Sequence, residues 1–301
     1  MRRLLTALFA AAVAATPATP AIAGGHASRS LSLPLRAAFY YGWYPEAWTQ
    51  NGIYPATRYR PVLGYYHTSS VIARHVAMMR YAHLHAGIAS WWGQGSKTDQ
   101  RVPLLLKAAS GTGFKWTVYY EREGNGDPAV SRIESDLAYL YRHYATSPAW
   151  LWLGGKPAVF VYADGGDGCG MARRWAQANA AGAHRFYVVL KVFPRYSSCA
   201  SQPDQWHQYA PARATDKQAG HSYAISPGFW KYNESAPRLA RGPARWASDV
   251  RAMAASGEPL QLVTTFNEWG EGTAVEPATT TWQTSTGEGT YLDTLHAYLP
   301  P

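Results

Sequence analysis

The chain has 301 residues, 28 Lys and Arg against 19 Asp and Glu, a net charge of +9, and an aromatic share of 14% that includes 13 Trp and 21 Tyr. Its 47% hydrophobic content suffices for a large core, and the positive residues are scattered without a run of five, which argues for a solvated surface and against a nucleic-acid partner. Neither the two cysteines nor the ten histidines show metal-site spacing, so no metal and no other cofactor is expected.

Taken in chain order, Arg2 and Arg3 precede an apolar run, Leu4 to Ala15, that is too short to span a bilayer. Ala21-Ile22-Ala23 then supplies a small-x-small cleavage pattern. Residues 1–23 therefore read as a secretory signal peptide, which predicts a secreted, extracellular protein with no membrane attachment after cleavage. Residues 24–34 read as a disordered lead-in, and residues 35–301 as one catalytic domain acting as a monomer.

Eight apolar runs read as strands: Ala37–Trp43, Ala86–Trp92, Lys115–Glu121, Ala158–Tyr162, Phe186–Val192, Gln205–Tyr209, His221–Ser226 and Gln261–Phe266. Between them helical patterns cover Ser69–Leu84, Arg101–Ser110, Ala129–Tyr144, Met171–Ala181, Pro243–Ala255 and Gly289–Leu299. Ser69 is the expected N-cap of the first helix, and Pro243 suits a first turn. No clear helix separates the sixth and seventh strands. Strands alternating with helices predict an α/β fold with a parallel sheet, and eight of them predict a single (β/α)8 TIM barrel. Cys169 and Cys199 follow the fourth and fifth strands, so adjacent loops would bring them together as a disulfide in an oxidising compartment.

Active sites of such barrels lie at the carboxyl ends of the strands. Tyr40, Tyr41 and Trp43 stand there, with Trp91 and Trp92, Glu121, Lys191, His207 and Tyr209, and finally Asn267, Glu268 and Glu271. Aromatic rings that join an apolar face to a polar edge suit carbohydrate, which is the expected partner. The most specific feature is Phe266-Asn267-Glu268-Trp269-Gly270-Glu271-Gly272-Thr273, a strand running into a turn with two carboxylates three residues apart. A Glu-x-x-Glu pair is common on helix surfaces, but the glycines and the preceding strand argue against a helix here. Glycosidic cleavage uses such a pair, one group protonating the leaving oxygen and the other acting as base or nucleophile. His67 is a candidate hydrogen-bonding partner for sugar, or a structural loop histidine. Glu276 is expected to anchor the loop.

This motif resembles the signature of glycoside hydrolase family 99, the endo-α-mannosidases and endo-α-mannanases. Further matches are Phe39-Tyr40-Tyr41-Gly42-Trp43-Tyr44, Tyr65-Tyr66-His67, Ala86-Gly87-Ile88-Ala89-Ser90-Trp91-Trp92 and Gly155-Lys156-Pro157-Ala158-Val159-Phe160. The chain departs at Glu121-Arg122-Glu123, where the family commonly has Glu-Pro-Tyr, and at Gly270, where His is usual. The resemblance implies a retaining mechanism in which the mannose 2-hydroxyl attacks its own anomeric carbon. Glu268 would deprotonate that hydroxyl, Glu271 would protonate the leaving oxygen, and water would then open a 1,2-anhydro sugar. It also implies substrate contacts from Trp91 or Trp92, Glu121 and Tyr232, with Asn267 and Trp269 inside the motif. The expected function is thus a secreted, endo-acting hydrolase of α-linked, mannan-like polysaccharide. Two alternatives are a glycosyltransferase-like polysaccharide-biosynthesis domain, which a leader peptide disfavours, and a non-catalytic carbohydrate-binding barrel, which would not need two carboxylates.

Overall fold

The computed structural model describes residues 30–279 and 282–301; the expected leader and residues 24–29 of the lead-in lie outside them. In chain order the elements are β1 (Ser30–Leu31), β2 (Leu35–Tyr40), α1 (Thr68–Tyr81), β3 (Ala86–Trp91), α2 (Lys97–Ala109), β4 (Lys115–Tyr120), α3 (Val130–Leu140), β5 (Trp152–Leu153) and β6 (Lys156–Val161). They continue with α4 (Cys169–Ala181), β7 (Tyr187–Lys191), β8 (Gln205–His207), β9 (Thr215–Gln218), β10 (Ser222–Ile225), α5 (Pro243–Ala255), β11 (Leu260–Val263) and α6 (Gly289–Tyr298). The eight expected strands are β2, β3, β4, β6, β7, β8, β10 and β11, joined in parallel in the order β8-β7-β6-β4-β3-β2-β11-β10.

The barrel is a (β/α)8 barrel whose ladder is not closed between β8 and β10. No crossover helix separates these two strands. The chain returns instead as β9, which takes the free edge of β10 in antiparallel pairing. Across the seam the His221 ring and the Gln205 side chain hydrogen-bond at 2.7 Å.

Two expectations are corrected at the N-terminal side. The end of the lead-in is not disordered: Ser30 and Leu31 pair in parallel with Trp152 and Leu153, whose edge offers open backbone groups. Ser69 is not the cap of α1; the cap position is His67. The next helix also begins earlier than expected, because Ser96 caps α2 by accepting from the Asp99 N–H at 3.1 Å. Pro103 sits inside α2 and cannot donate to the Asp99 carbonyl. The Tyr144 hydroxyl donates to that carbonyl at 3.2 Å instead. Pro243 does occupy the first turn of α5, and Cys169 and Cys199 are bonded to each other, with Cα atoms 5.3 Å apart.

Strand alternation divides the aromatic residues between two layers. Phe39, Tyr119, His207 and Tyr209 meet inside the barrel, with Phe39 centroids 4.8 Å from Tyr119 and 5.0 Å from Tyr209. Other strand-end rings turn outward to the helices. Tyr40 hydrogen-bonds His75 of α1 at 3.1 Å, Trp91 donates to Asp99 of α2 at 2.8 Å, and Tyr120 donates to Asp136 of α3 at 2.8 Å. Each such buried ring contributes about 1.5–3 kcal/mol by leaving water. Inward rings form the floor under the barrel mouth.

Candidate active site

A cleft of about 610 Å³ opens at the carboxyl ends of the strands. Tyr41 and Trp43 follow β2, Trp92 follows β3, Glu121 follows β4, and Tyr209 follows β8. Tyr232 comes from the loop after β10, and Glu268 and Glu271 from the turn after β11. The structure thus brings together the two motif carboxylates, a third carboxylate, and five expected aromatic side chains.

The motif turn is held from several sides. The Glu268 N–H donates to Thr265 Oγ1 at 2.8 Å, and Thr273 returns its N–H to the Glu268 carbonyl at 3.2 Å. The loop after β10 hydrogen-bonds its backbone to the turn, with Trp230 donating to the Glu271 carbonyl and Tyr232 to the Gly270 carbonyl. Gly272 lies at φ +66° with the Trp230 carbonyl oxygen 2.6 Å from where a Cβ would stand, so only glycine fits there. This docking carries Lys231 to the site, its Nζ 3.6 Å from Glu271 Oε1.

The three carboxyls titrate differently from free ones. Burial raises the Glu268 pKa well above the ordinary carboxylate range, and the neighbouring Glu271 charge adds to it, while the Glu271 and Gly270 N–H groups oppose the shift. Glu268 Oε2 has no hydrogen-bond partner. Burial also raises Glu271, with Lys231 and the Tyr209 hydroxyl holding it back. Tyr209 is in turn reached by the Tyr41 hydroxyl at 2.9 Å, and it approaches Glu271 Oε2 at 3.4 Å. Glu121 is pushed up to about 8, chiefly by burial, with a further contribution from Glu271. Burial thus favours the protonated form of all three acids around one cleft, the direction that acid–base chemistry on a glycosidic bond uses.

Several expected contacts lie elsewhere. Tyr40 and Trp91 face the helix layer and are fully buried. His207 sits below the cleft in the barrel floor, where its Nε2 meets the Tyr119 hydroxyl at 3.1 Å. Asn267 latches the strand end after β2: its Oδ1 accepts from the Tyr41 N–H at 2.7 Å and its Nδ2 donates to the Tyr41 carbonyl at 2.9 Å. Trp269 is buried and donates to Glu276 Oε2 at 3.0 Å. Glu276 also accepts from Tyr66 at 2.7 Å and contacts His75 at 3.2 Å, anchoring the turn from beneath. His67 is exposed at the start of α1 and does not line the cleft.

The cleft also holds residues that the sequence reading passed over. Gln50 and Asn51 come from the long segment after β2, and Asn51 donates to the Tyr232 hydroxyl at 2.8 Å. Tyr162, the last residue of the fourth expected strand, lines the opposite wall against Gly124, where a Cβ would strike its ring. Its position at a strand end was the available signal. Lys231 had none beyond its adjacency to Tyr232.

Outside the cleft, Glu123, Asp127 and Asp167 bring carboxylate atoms within 4.8 Å of one another. The Arg174 guanidinium already pairs with Glu123 and Asp127, and Trp175 donates to Glu123 at 2.7 Å. Arginine supplies the positive charge there. Among the described residues no helix is long and apolar enough to cross a membrane.

The model of glycosyl hydrolase family 99 matches residues 44–185. That stretch contains Trp92, Glu121 and Tyr162, while the carboxylates of the β11 turn lie beyond it. No curated protein sequence matches the chain. Two solved structures of the family 99 endo-α-mannosidase from Bacteroides thetaiotaomicron superpose with TM-scores of 0.69, for a complex with bis-tris-propane, and 0.70. Each is 20% identical and covers 89% of this chain and 97% of that one. A Parabacteroides merdae β-glucuronidase with glycerol in its active site superposes at 0.52 and 10% identity, over 89% of this chain and 37% of that one. The family match over residues 44–185 and the barrel shared with these solved structures make this chain similar to the glycoside hydrolases of family 99.

Proposed function

We propose that this hydrolase is exported, acts within α-mannan-like polysaccharide chains, and retains anomeric configuration through the pair Glu268 and Glu271. The observation that carries the reading is the convergence of these two carboxyls, three residues apart, on one open cleft walled by Trp43, Trp92 and Tyr232. The leader pattern in residues 1–23 supports export. An open trough supports attack within a chain, because sugar units can extend past the reacting bond on both sides.

In the first step Glu268 takes the proton of the 2-hydroxyl, O2 attacks C1, the C1–O bond to the leaving sugar breaks, and Glu271 gives that oxygen its proton. In the second, Glu271 takes a proton from water, the water oxygen attacks C1, the C1–O2 bond breaks, and Glu268 returns its proton to O2. Two inversions give net retention. Burial favours a proton on Glu268, while Lys231 beside Glu271 opposes one there. Substrate reverses this bias. A 2-hydroxyl donating to the unpartnered Glu268 Oε2 stabilises the ionised form, and a glycosidic oxygen accepts a hydrogen bond only from protonated Glu271.

The test is digestion of purified protein with α-mannan, with products sized by mass spectrometry and their initial anomer read by NMR. Oligosaccharide products of retained configuration are expected. Monosaccharide alone would overturn endo action, an inverted anomer would overturn the mechanism, and no cleavage would overturn the substrate class.

A further inference from the structure

We propose that an arginine-lined pocket beside the cleft is a subsite for an anionic sugar residue, one carrying a carboxylate or a phosphate ester. The inference rests on the polysaccharide hydrolase reading and adds to it the charge of the substrate. A second pocket of about 600 Å³ opens on the other side of Trp92. Its size is within the range of about 300–1,000 Å³ in which small-molecule sites fall. Trp92 and Asn125 line both this pocket and the catalytic cleft, so the two form one trough with the half-exposed indole between them. A sugar stacked on Trp92 would place its neighbour in the second pocket.

The wall there is basic. Glu121 and Arg122 are consecutive, and the chain sends the first into the catalytic cleft and the second into this pocket. The Arg122 side chain is seated, not trailing in solvent. It lies across Gly93, where an added Cβ would stand 2.6 Å from Nη1 and where φ is +101°. Among the described residues Arg122 has no ion pair. Arg132, on the same wall, comes no nearer than 3.9 Å to Asp136. Asp127, the carboxylate of this wall, is already held by Arg174. Helix α3 begins at the wall with no side-chain cap at Ala129, which adds the positive end of its dipole. A neutral sugar leaves Arg122 without a counter-charge and Arg132 with only the 3.9 Å contact to Asp136, whereas a carboxylate or phosphate matches their forked donors.

The experiment is an NMR titration of the ¹⁵N-labelled protein in a Glu268→Gln background, which suppresses turnover, following the Trp92 indole N–H assigned by its loss in Trp92→Phe. The probes are an α-mannotetraose, the same chain with one mannose 6-phosphate, the same chain with one glucuronic acid, and the free acidic sugars, mannose 6-phosphate and glucuronate. At least one acidic tetrasaccharide should reach half-shift at a roughly tenfold lower concentration than the neutral one. High salt should erase the difference, Arg122→Gln with Arg132→Gln should bring the ratio close to one, and Arg122→Lys should keep part of it. Whichever acidic probe wins distinguishes phosphate from carboxylate. Equal half-points in the parent protein, or a preference that survives loss of both arginines, would overturn the subsite. Mannan hydrolysis by the unmodified enzyme without acid preference sinks this inference alone. Arginine-dependent binding of the free acidic sugars without mannan hydrolysis keeps the pocket and sinks the mannan reading.

Discussion

Lys231 Nζ lies 3.6 Å from Glu271 Oε1, while Glu268, three residues earlier in the same turn, has an oxygen with no partner at all. The cation therefore acts on one carboxyl of the pair. Its charge lowers the Glu271 pKa against the upward push of burial, so removing it raises that pKa further. In Lys231→Met the limb of the kcat/KM profile that reports Glu271 should move to higher pH. If Glu271 is the acid, the alkaline limb moves and the working range widens upward; if it is the base, the acidic limb moves and the range narrows. A profile with neither limb displaced would remove Lys231 from the site's electrostatics.

Trp91 and Trp92 should behave as residues of different layers. Trp91 is fully buried and bonded to Asp99, so Trp91→Ala should cost about 3–5 kcal/mol of stability in urea unfolding. Trp92 is 39% exposed at the cleft wall, so Trp92→Ala should leave the unfolding midpoint nearly in place. Its loss should weaken substrate by about 1–3 kcal/mol, on the scale of one large apolar contact. Equal destabilisation by both would put Trp92 in the core.

The contrast between these two tryptophans shows where sequence stops being legible. All eight barrel strands can be found from apolar runs, because a strand buried on both faces needs them. Which of two adjacent aromatics faces the mouth depends on where the strand ends and on its pleat, and a shift of one residue exchanges the layers. The same ambiguity placed Tyr40 and His207 in the cleft when they belong to the helix layer and the floor. Asn267 was visible as a polar residue at a strand end, but its partner is the Tyr41 backbone, 226 positions away in sequence. Gln50, Asn51 and Lys231 sit on loops, where no period constrains the chain, and only the docking of those loops onto the turn brings them in.

Glu121 links the site to stability. Its ordinary value of 4.5 rises to about 8 in the folded chain, so the native state binds this proton more tightly than the unfolded one. The stabilisation from that proton is complete below pH 4.5 and is lost as pH rises through 8. Glu121→Gln, which mimics the neutral acid, should flatten the decline of unfolding free energy between these limits, a slope of at most about 1.4 kcal/mol per pH unit for one proton. The gain relative to the parent protein should be largest above pH 8. An unchanged slope in chemical denaturation across the range would mean that Glu121 is ionised throughout.

On the proposed mechanism the roles of Glu268 and Glu271 separate by leaving group. Protonation matters most when the departing oxygen belongs to another sugar, a poor leaving group. Glu271→Gln should therefore lose most activity on polysaccharide while keeping far more on an aryl glycoside whose phenol departs readily. On the same mechanism Glu268→Gln removes the base that makes the 2-hydroxyl a nucleophile, and no leaving group should compensate for that. General acid–base assistance is typically worth about 10²–10⁴-fold, so the contrast falls within the range of ordinary rate assays. A 2-deoxy or 2-O-methyl substrate should not turn over at all, because it has no hydroxyl for Glu268 to deprotonate. If the 2-deoxy sugar is cleaved well, the anhydro-sugar route is wrong. Glu268 would then attack C1 directly or activate water, and retained or inverted product configuration by NMR would decide between the two.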